Sequence, residues 1–277
     1  MKKWNMIIDV ARCHDCNNCF LSCKDEYVGN DFPPYSMGQP WHGHRWMNIM
    51  RQEQGQYPRV RVCYLPMPCL QCEDAPCLTP DGAVYKREDG VVIIDPQKAA
   101  GRQEIVDGCP YGAIYWNDET KLAQKCTGCI HLLEEGWTDT RCAQVCPTEA
   151  LRFLWATDEE MAKRTAEEGL EAYRPELAPK ARVFYKNLHR YTKAFVAAGV
   201  VFGDSDECGM GATATLTLDG EKVGEAVAGT FGDFFIDRLE TGKTYALSVE
   251  APGYDAASLA VKLEASTNLG TIVLLTG

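Results

Sequence analysis

Short apolar runs punctuated by turn residues dominate this chain, and the pattern predicts more strand than helix. Met6–Val10 reads as a strand leading into a polar loop, and Gly90-Val-Val-Ile-Ile-Asp95 is a β-branched run of the same kind. Val60–Leu65 has strand-like alternation. Residues 157–182 are different: Glu, Ala, Lys and Arg at helical spacing predict a solvated helix, then a link around Pro175 and Pro179. Beyond Gly203, Thr213–Leu218 ends in Asp219-Gly220, a hairpin-turn pair. Phe231–Ile236, Thr244–Glu250, Ser258–Leu263 and Gly270–Leu275 follow as further strand-like segments. Short strands at this spacing predict a small all-β sandwich of Ig-like or transthyretin-like type.

Composition narrows the function classes. A formal charge of −11 over 277 residues argues against nucleic acid as a partner. The N-terminus reaches Asp9 after too few uncharged residues for a signal-peptide core. The longest charge-free apolar stretch, Ala194–Phe202, is far too short to span a bilayer. A cytoplasmic protein with no membrane span is expected. No hydrolytic triad, phosphate loop or nucleotide fingerprint is present; Gly199-Val-Val-Phe-Gly203 lacks the strand–turn–helix context of a dinucleotide site. No catalytic residue is expected on this chain.

The cysteines carry the chemistry. Cys13-His-Asp-Cys16-Asn-Asn-Cys19-Phe-Leu-Ser-Cys23 has the spacing of a bacterial ferredoxin loop, and 12 of the 14 cysteines fall into groups of that kind. In such loops three cysteines bind one cluster, and a fourth, often followed by Pro, binds its neighbour. That rule assigns Cys13, Cys16, Cys19 and Cys146 to a first 4Fe–4S cluster. It assigns Cys126, Cys129, Cys142 and Cys23 to a second. Cys69, Cys72 and Cys77 with the Cys109-Pro110 pair make a third. A fourth cluster beside the third would need cysteines at 81, 99, 102 and 105, where Asp81, Ala99, Arg102 and Ile105 stand; its complete ligand set is missing. Cys63 reads as a buried small residue and Cys208 as an incidental loop thiol. Disulfides are disfavoured without a secretion signal. Zinc fits Cys126, Cys129, Cys142 and Cys146 on spacing alone, but the group at 13–23 is too tight for a zinc finger and the Cys-Pro pairs favour ferredoxin.

The predicted fold class is therefore α+β: a duplicated ferredoxin-like domain with three 4Fe–4S clusters over residues 1–156, a helical or extended linker over 157–202, and the β-sandwich over 203–277. Residues 31–59 form an insertion rich in Pro, Gly and aromatics, with Trp41, His42, His44 and Trp46. It reads as an ordered surface loop, since the clusters are already supplied with thiolates.

Met67-Pro-Cys-Leu-Gln-Cys-Glu-Asp-Ala-Pro-Cys77, Cys109-Pro-Tyr-Gly-Ala113, Lys125-Cys-Thr-Gly-Cys129 and Cys142-Ala-Gln-Val-Cys-Pro147 resemble the iron–sulfur subunits of molybdopterin oxidoreductases of the DMSO reductase family, over roughly residues 1–155. Full members carry four clusters; this chain departs at the four positions just named. Three clusters followed by a β-rich tail more narrowly resemble the small subunits of pyrogallol–phloroglucinol transhydroxylases. The resemblance implies an electron-transfer subunit in a heterodimer, whose large catalytic partner holds a bis-pterin molybdenum cofactor and the substrate. The alternatives are the relay subunit of another molybdopterin oxidoreductase, a free-standing soluble polyferredoxin, and a zinc-stabilised scaffold. The β-domain, aromatic insertion and long links suit a fixed interface better than a free shuttle.

Overall fold

A computed structural model describes residues 1–177 and 180–277, so Pro179 of the expected link lies outside the described residues. Two compact units are present: Met1–Met50 with Tyr64–Leu188, and Arg51–Cys63 with His189–Gly277.

The first unit is organised by β1 (Lys3–Asp9), in which Trp4 to Ile8 are fully buried. Such burial on both faces explains why the segment lacks polar alternation. It leads to α1 (Asn18–Tyr27) and then β2 (Met47–Gln56) and β3 (Arg59–Pro68), a hairpin whose outer residues 51–63 group with the second unit. β4 (Val84–Lys86) pairs with β5 (Val92–Ile94), and β6 (Tyr115–Asn117) with β7 (Leu122–Gln124). After α2 (Ile130–Glu134) and α3 (Arg141–Gln144), β8 (Leu151–Ala156) returns antiparallel to β1, with Ile8 opposite Leu151. This register puts the loop leaving β1 beside the turn entering β8: the Asp9 amide donates to the Ala150 carbonyl at 2.8 Å. Residues near 13 and near 146 are thus neighbours in space.

Residues 157–202, expected as a linker, are divided between ordered elements of the two units. α4 (Asp158–Glu168) lays Met161 against Ile7, Ala156 and Leu170. β9 (Val183–Lys186) pairs in parallel with β1. Burial of these apolar positions holds the segment in place. The helix start is a capping box: Thr157 Oγ1 accepts from the Glu160 amide at 3.2 Å, and Glu160 Oε2 from the Thr157 amide at 2.7 Å. Thr157→Ala is expected to destabilise α4 by about 1 kcal/mol, read as roughly fivefold faster hydrogen exchange at its first protected amides.

In the second unit α5 (His189–Thr192) precedes β10 (Ala194–Phe202), the apolar run read from the sequence as part of the link. β10 is the centre of a three-stranded sheet, flanked by β13 (Asp233–Leu239) and β16 (Thr267–Leu274). The second sheet has the order β12 (Glu221–Val227), β11 (Thr213–Leu218), β14 (Lys243–Glu250), β15 (Ala257–Leu263). Inward residues of both sheets, among them Val196, Val200, Leu216, Phe234, Leu247 and Ile272, form one core. Asp219 and Gly220, both at positive φ, make the two-residue turn joining β11 to β12. This unit therefore starts before residue 203, because β10 supplies the middle strand of its sheet.

Candidate cluster-binding sites

The twelve thiols come together in three groups, each drawing on distant parts of the chain. Cys13, Cys16 and Cys19 lie on the loop after β1 and the first turn of α1, where left-handed Asp15 and Asn17 reverse the backbone. Cys146 stands in the turn before β8 that the β1–β8 register brings alongside. Burial pushes the Cys19 thiol up to about 12, and the charges of Cys13, Cys146 and Cys16 add to it. Cys13 is raised in the same way, with Cys146 and Cys16 as neighbours.

The second group begins one turn further along α1. Cys19, Ser22, Cys23 and Tyr27 form the buried stripe of this helix, and Ser22 Oγ donates to the Arg141 carbonyl at 3.4 Å. α3 therefore sits on α1 and carries Cys142 toward Cys23. Cys126 and Cys129 come from the loop between β7 and α2. Gly128 is required there: a Cβ on it would lie 2.9 Å from Trp4 Nε1, and the Gly128 carbonyl accepts from that indole at 3.0 Å. Burial lifts Cys23 and Cys142 well above the ordinary thiol range, reinforced for Cys23 by Cys126 and Cys129 and for Cys142 by Cys129, Cys126 and Cys23.

Cys69, Cys72, Cys77 and Cys109 line one small pocket together with apolar neighbours such as Leu70, Val92 and Pro110. Burial raises Cys72 to about 12 and Cys77 to about 11, each with Cys69 and Cys109 among its charged neighbours. The three groups are in sequence. Groups one and two share α1, four residues apart and so about 6 Å along its axis. Groups two and three meet where Cys126 feels the charge of Cys69. Glu73, next to Cys72, pairs with Lys86 at 2.7 Å, with Lys3 at 3.3 Å and with buried Arg182, which ties this loop to the β1 end of the sheet.

Among the described residues, no three His, Cys, Asp or Glu side chains converge closely enough to hold one ion. A zinc site needs four donors about 2.0–2.3 Å from a common centre. A 4Fe–4S cluster takes four thiolates, the donor set that each of these groups offers. Iron would ionise these thiols outright and reverse their raised affinity for protons.

The four positions where a further ligand set is missing hold other chemistry. Asp81 Oδ2 accepts from Arg102 Nη1 at 2.5 Å, while Ala99 and Ile105 are buried. Hydrogen bonds from Thr79 and the Ala83 amide, then Arg102, hold the Asp81 carboxyl down to about 2. An ion pair and two apolar side chains occupy this place. His44 is buried with Nε2 2.9 Å from the Trp116 carbonyl, a structural contact. Cys63 is buried and donates to the Arg190 carbonyl at 2.9 Å, and Cys208 is exposed.

Sequence reasoning singles out the thiols and misses what surrounds them. Lys125 is buried, its Nζ donating to the carbonyls of Val92 and, at 3.0 Å, Cys126. Its charge favours the thiolates of Cys126 in group two and of Cys77 and Cys109 in group three. Its adjacency to Cys126 was the available signal. Gln39 and Thr140 also reach sulfurs of group two, with Tyr27 buried beside Cys129, and nothing in their sequence spacing marks them.

A family described as a 4Fe-4S dicluster domain matches residues 60–155. The pyrogallol hydroxytransferase small subunit of Pelobacter acidigallici is 47% identical over 278 residues, covering 99% of this chain and 100% of that one. The chain belongs to this small-subunit family. The thiosulfate reductase electron transfer subunit PhsB of Salmonella typhi is 31% identical, over 68% of this chain and 95% of that one. The arsenate respiratory reductase iron-sulfur subunit ArrB of a Shewanella species is 26% identical, over 65% of this chain and 94% of that one. The long match to PhsB and the end-to-end match to the hydroxytransferase small subunit place the family among electron-transfer subunits of molybdopterin oxidoreductases. Among the described residues, no helix is long and apolar enough to cross a membrane.

Proposed function

We propose that this chain is the electron-transfer subunit of a cytoplasmic molybdopterin enzyme that moves a hydroxyl group between polyphenols, with pyrogallol as the first substrate to try. It carries three 4Fe–4S clusters: one on Cys13, Cys16, Cys19 and Cys146, one on Cys23, Cys126, Cys129 and Cys142, and one on Cys69, Cys72, Cys77 and Cys109. The molybdenum bis-pterin cofactor and the substrate belong to a large partner chain, and no catalytic residue resides here. The exchange of Cys23 and Cys146 between the first two groups is the hallmark of a duplicated ferredoxin-like domain. The third group lacks such a counterpart, since the Asp81–Arg102 pair stands in its place. The observation that carries the reading is the gathering of twelve thiols into three successive four-sulfur groups, in a chain that aligns end to end with a hydroxytransferase small subunit.

Metal analysis of the natively purified protein, kept anaerobic with any co-purifying chain, tests it. About twelve Fe per chain, four for each of three clusters, with molybdenum in a large second chain, is the expected result. The same iron without molybdenum or a second chain points to a free polyferredoxin. Zinc in place of iron overturns the proposal.

A further inference from the structure

The three sulfur groups differ sharply in what donates to them. In group three the backbone amide of Ala113 donates to Cys109 at 3.4 Å. Group one adds one side chain, Thr148 Oγ1, 3.6 Å from Cys146. In group two, two buried side chains reach two different sulfurs and a third stands beside another. Gln39 Nε2 donates to Cys23 Sγ at 3.8 Å, Thr140 Oγ1 lies 3.4 Å from Cys142 Sγ, and Tyr27 is buried beside Cys129. The Gly128 amide donates to the fourth, Cys126, at 3.4 Å.

These contacts are built in. Tyr27, Gln39 and Thr140 are each at most 4% exposed. Gln39 Oε1 has no hydrogen-bond partner, so the side chain bears the cost of a buried, unsatisfied amide oxygen while its nitrogen serves the Cys23 sulfur. The Tyr27 oxygen also lies 2.7 Å from Thr127 Oγ1. A thiolate is a stronger acceptor than a hydroxyl or a neutral imidazole, so in the arrangement inferred below Thr127 donates to Tyr27, and Tyr27 donates to the Cys129 sulfur in preference to His131 Nδ1, 3.5 Å away.

Reduction adds a negative charge to a cluster. Burial opposes that step by withdrawing water; hydrogen bonds to the ligand sulfurs favour it. Cys23, Cys129 and Cys142 are all buried, so this group has little water to do the work, and in dry surroundings each fixed donor counts for more. We propose that Tyr27, Gln39 and Thr140 set the reduction potential of the cluster on Cys23, Cys126, Cys129 and Cys142, raising it into the range where the middle site of the relay accepts an electron. Lys125 assists, but its charge acts on groups two and three together, so it does not distinguish them. This inference rests on the cluster assignment proposed above.

The test is a redox titration of the intact complex followed by EPR, on Tyr27→Phe, Gln39→Met and Thr140→Val separately, with iron content measured on each. Each variant is expected to keep its iron and to make one and the same cluster harder to reduce. The combined loss is expected to be at least tenfold in that cluster's reduced-to-oxidised ratio at fixed ambient potential, a shift of 59 mV for a one-electron couple. Thr140→Ser, which keeps the hydroxyl, restores the original midpoint. Variants with full iron and unchanged midpoints, or shifts spread over different clusters, overturn the inference and leave the cluster assignment standing. A wild-type complex without three reducible clusters removes the assignment itself. Should Tyr27→Phe lose iron, Gln39→Met and Thr140→Val decide the matter alone.

Discussion

Stripping the iron from the intact protein is expected to unfold residues 1–50 and 64–188 while the strands between 194 and 277 stay folded. On the proposed assignment the first unit depends on its clusters, because the thiols that would hold them sit in its core: Cys19, Cys23, Cys69, Cys72, Cys129 and Cys142 are buried. Its connecting elements cannot stand alone. α2 has five residues and α3 four, and helices shorter than about 12 residues are marginal in water. β4 with β5 and β6 with β7 are pairs of three-residue strands, and an isolated two-stranded hairpin is marginal at best. Without iron the four sulfurs of each group also lose the bonds that join distant segments. For comparison, structural zinc contributes about 10–16 kcal/mol in small domains, as much as the whole stability of a typical domain. The second unit is expected to stay folded, since two hydrogen-bonded sheets share a continuous aliphatic and aromatic core. Hydrogen exchange read by mass spectrometry before and after anaerobic chelation separates the units. Full loss of protection is expected over the first unit and little change from β10 to β16. Retained protection across 1–50 and 64–188 would mean that the thiol groups do not hold this fold together.

The cysteine spacing carries the strongest signal in the sequence, because the proposed cluster ligation would fix residue type and spacing at once. Strands buried on one or both faces were legible too: β1, β3 and β14 lie where apolar or alternating runs predict them. β12 was not, since Glu221–Val227 is largely exposed and an edge strand of that kind leaves no apolar signature. The domain limits were misread for a related reason. Ala194–Phe202 has no charge and sits next to a helical, Glu-rich stretch, so it looked like connecting chain; only its pairing with both β13 and β16 reveals the centre of a sheet. The outer residues of the β2–β3 hairpin group with the second unit through contacts no local pattern encodes, such as Arg61 to Asp237 at 3.6 Å. The donors to group two were illegible on the same ground. Gln39 is 16 residues from its sulfur and Tyr27 forms its hydroxyl contact with Thr127 across 100 residues; a polar residue in a loop carries no sign of which sulfur it will face.

Cys146→Ala is expected to remove the cluster bound by Cys13, Cys16 and Cys19, and to spare the one bound by Cys142, only four positions away. The reason lies in strand register. β8 starts just after Cys146 and runs antiparallel to β1, with Leu151 opposite Ile8, which carries Cys146 to the loop that leaves β1. Cys142 sits on α3, which α1 holds against Cys23 instead. Iron content of single and double variants tests this pairing without assigning any spectrum. Each single variant, Cys146→Ala, Cys13→Ala or Cys142→Ala, should fall from about twelve Fe to about eight, one four-iron cluster being lost. Cys13→Ala with Cys146→Ala should also hold about eight, because both ligands serve the same cluster, whereas Cys142→Ala with Cys146→Ala should drop to about four. The chain-adjacent alternative, in which Cys142 and Cys146 serve one cluster, predicts the reverse for the two doubles. Cys23→Ala adds the complementary arm: combined with Cys126→Ala it should cost no further iron, and combined with Cys19→Ala it should cost a second cluster, although Cys19 and Cys23 are one turn apart on α1. A duplicated fold that exchanges one ligand between its halves predicts both results, since each half can complete its cluster only when the other half is folded against it.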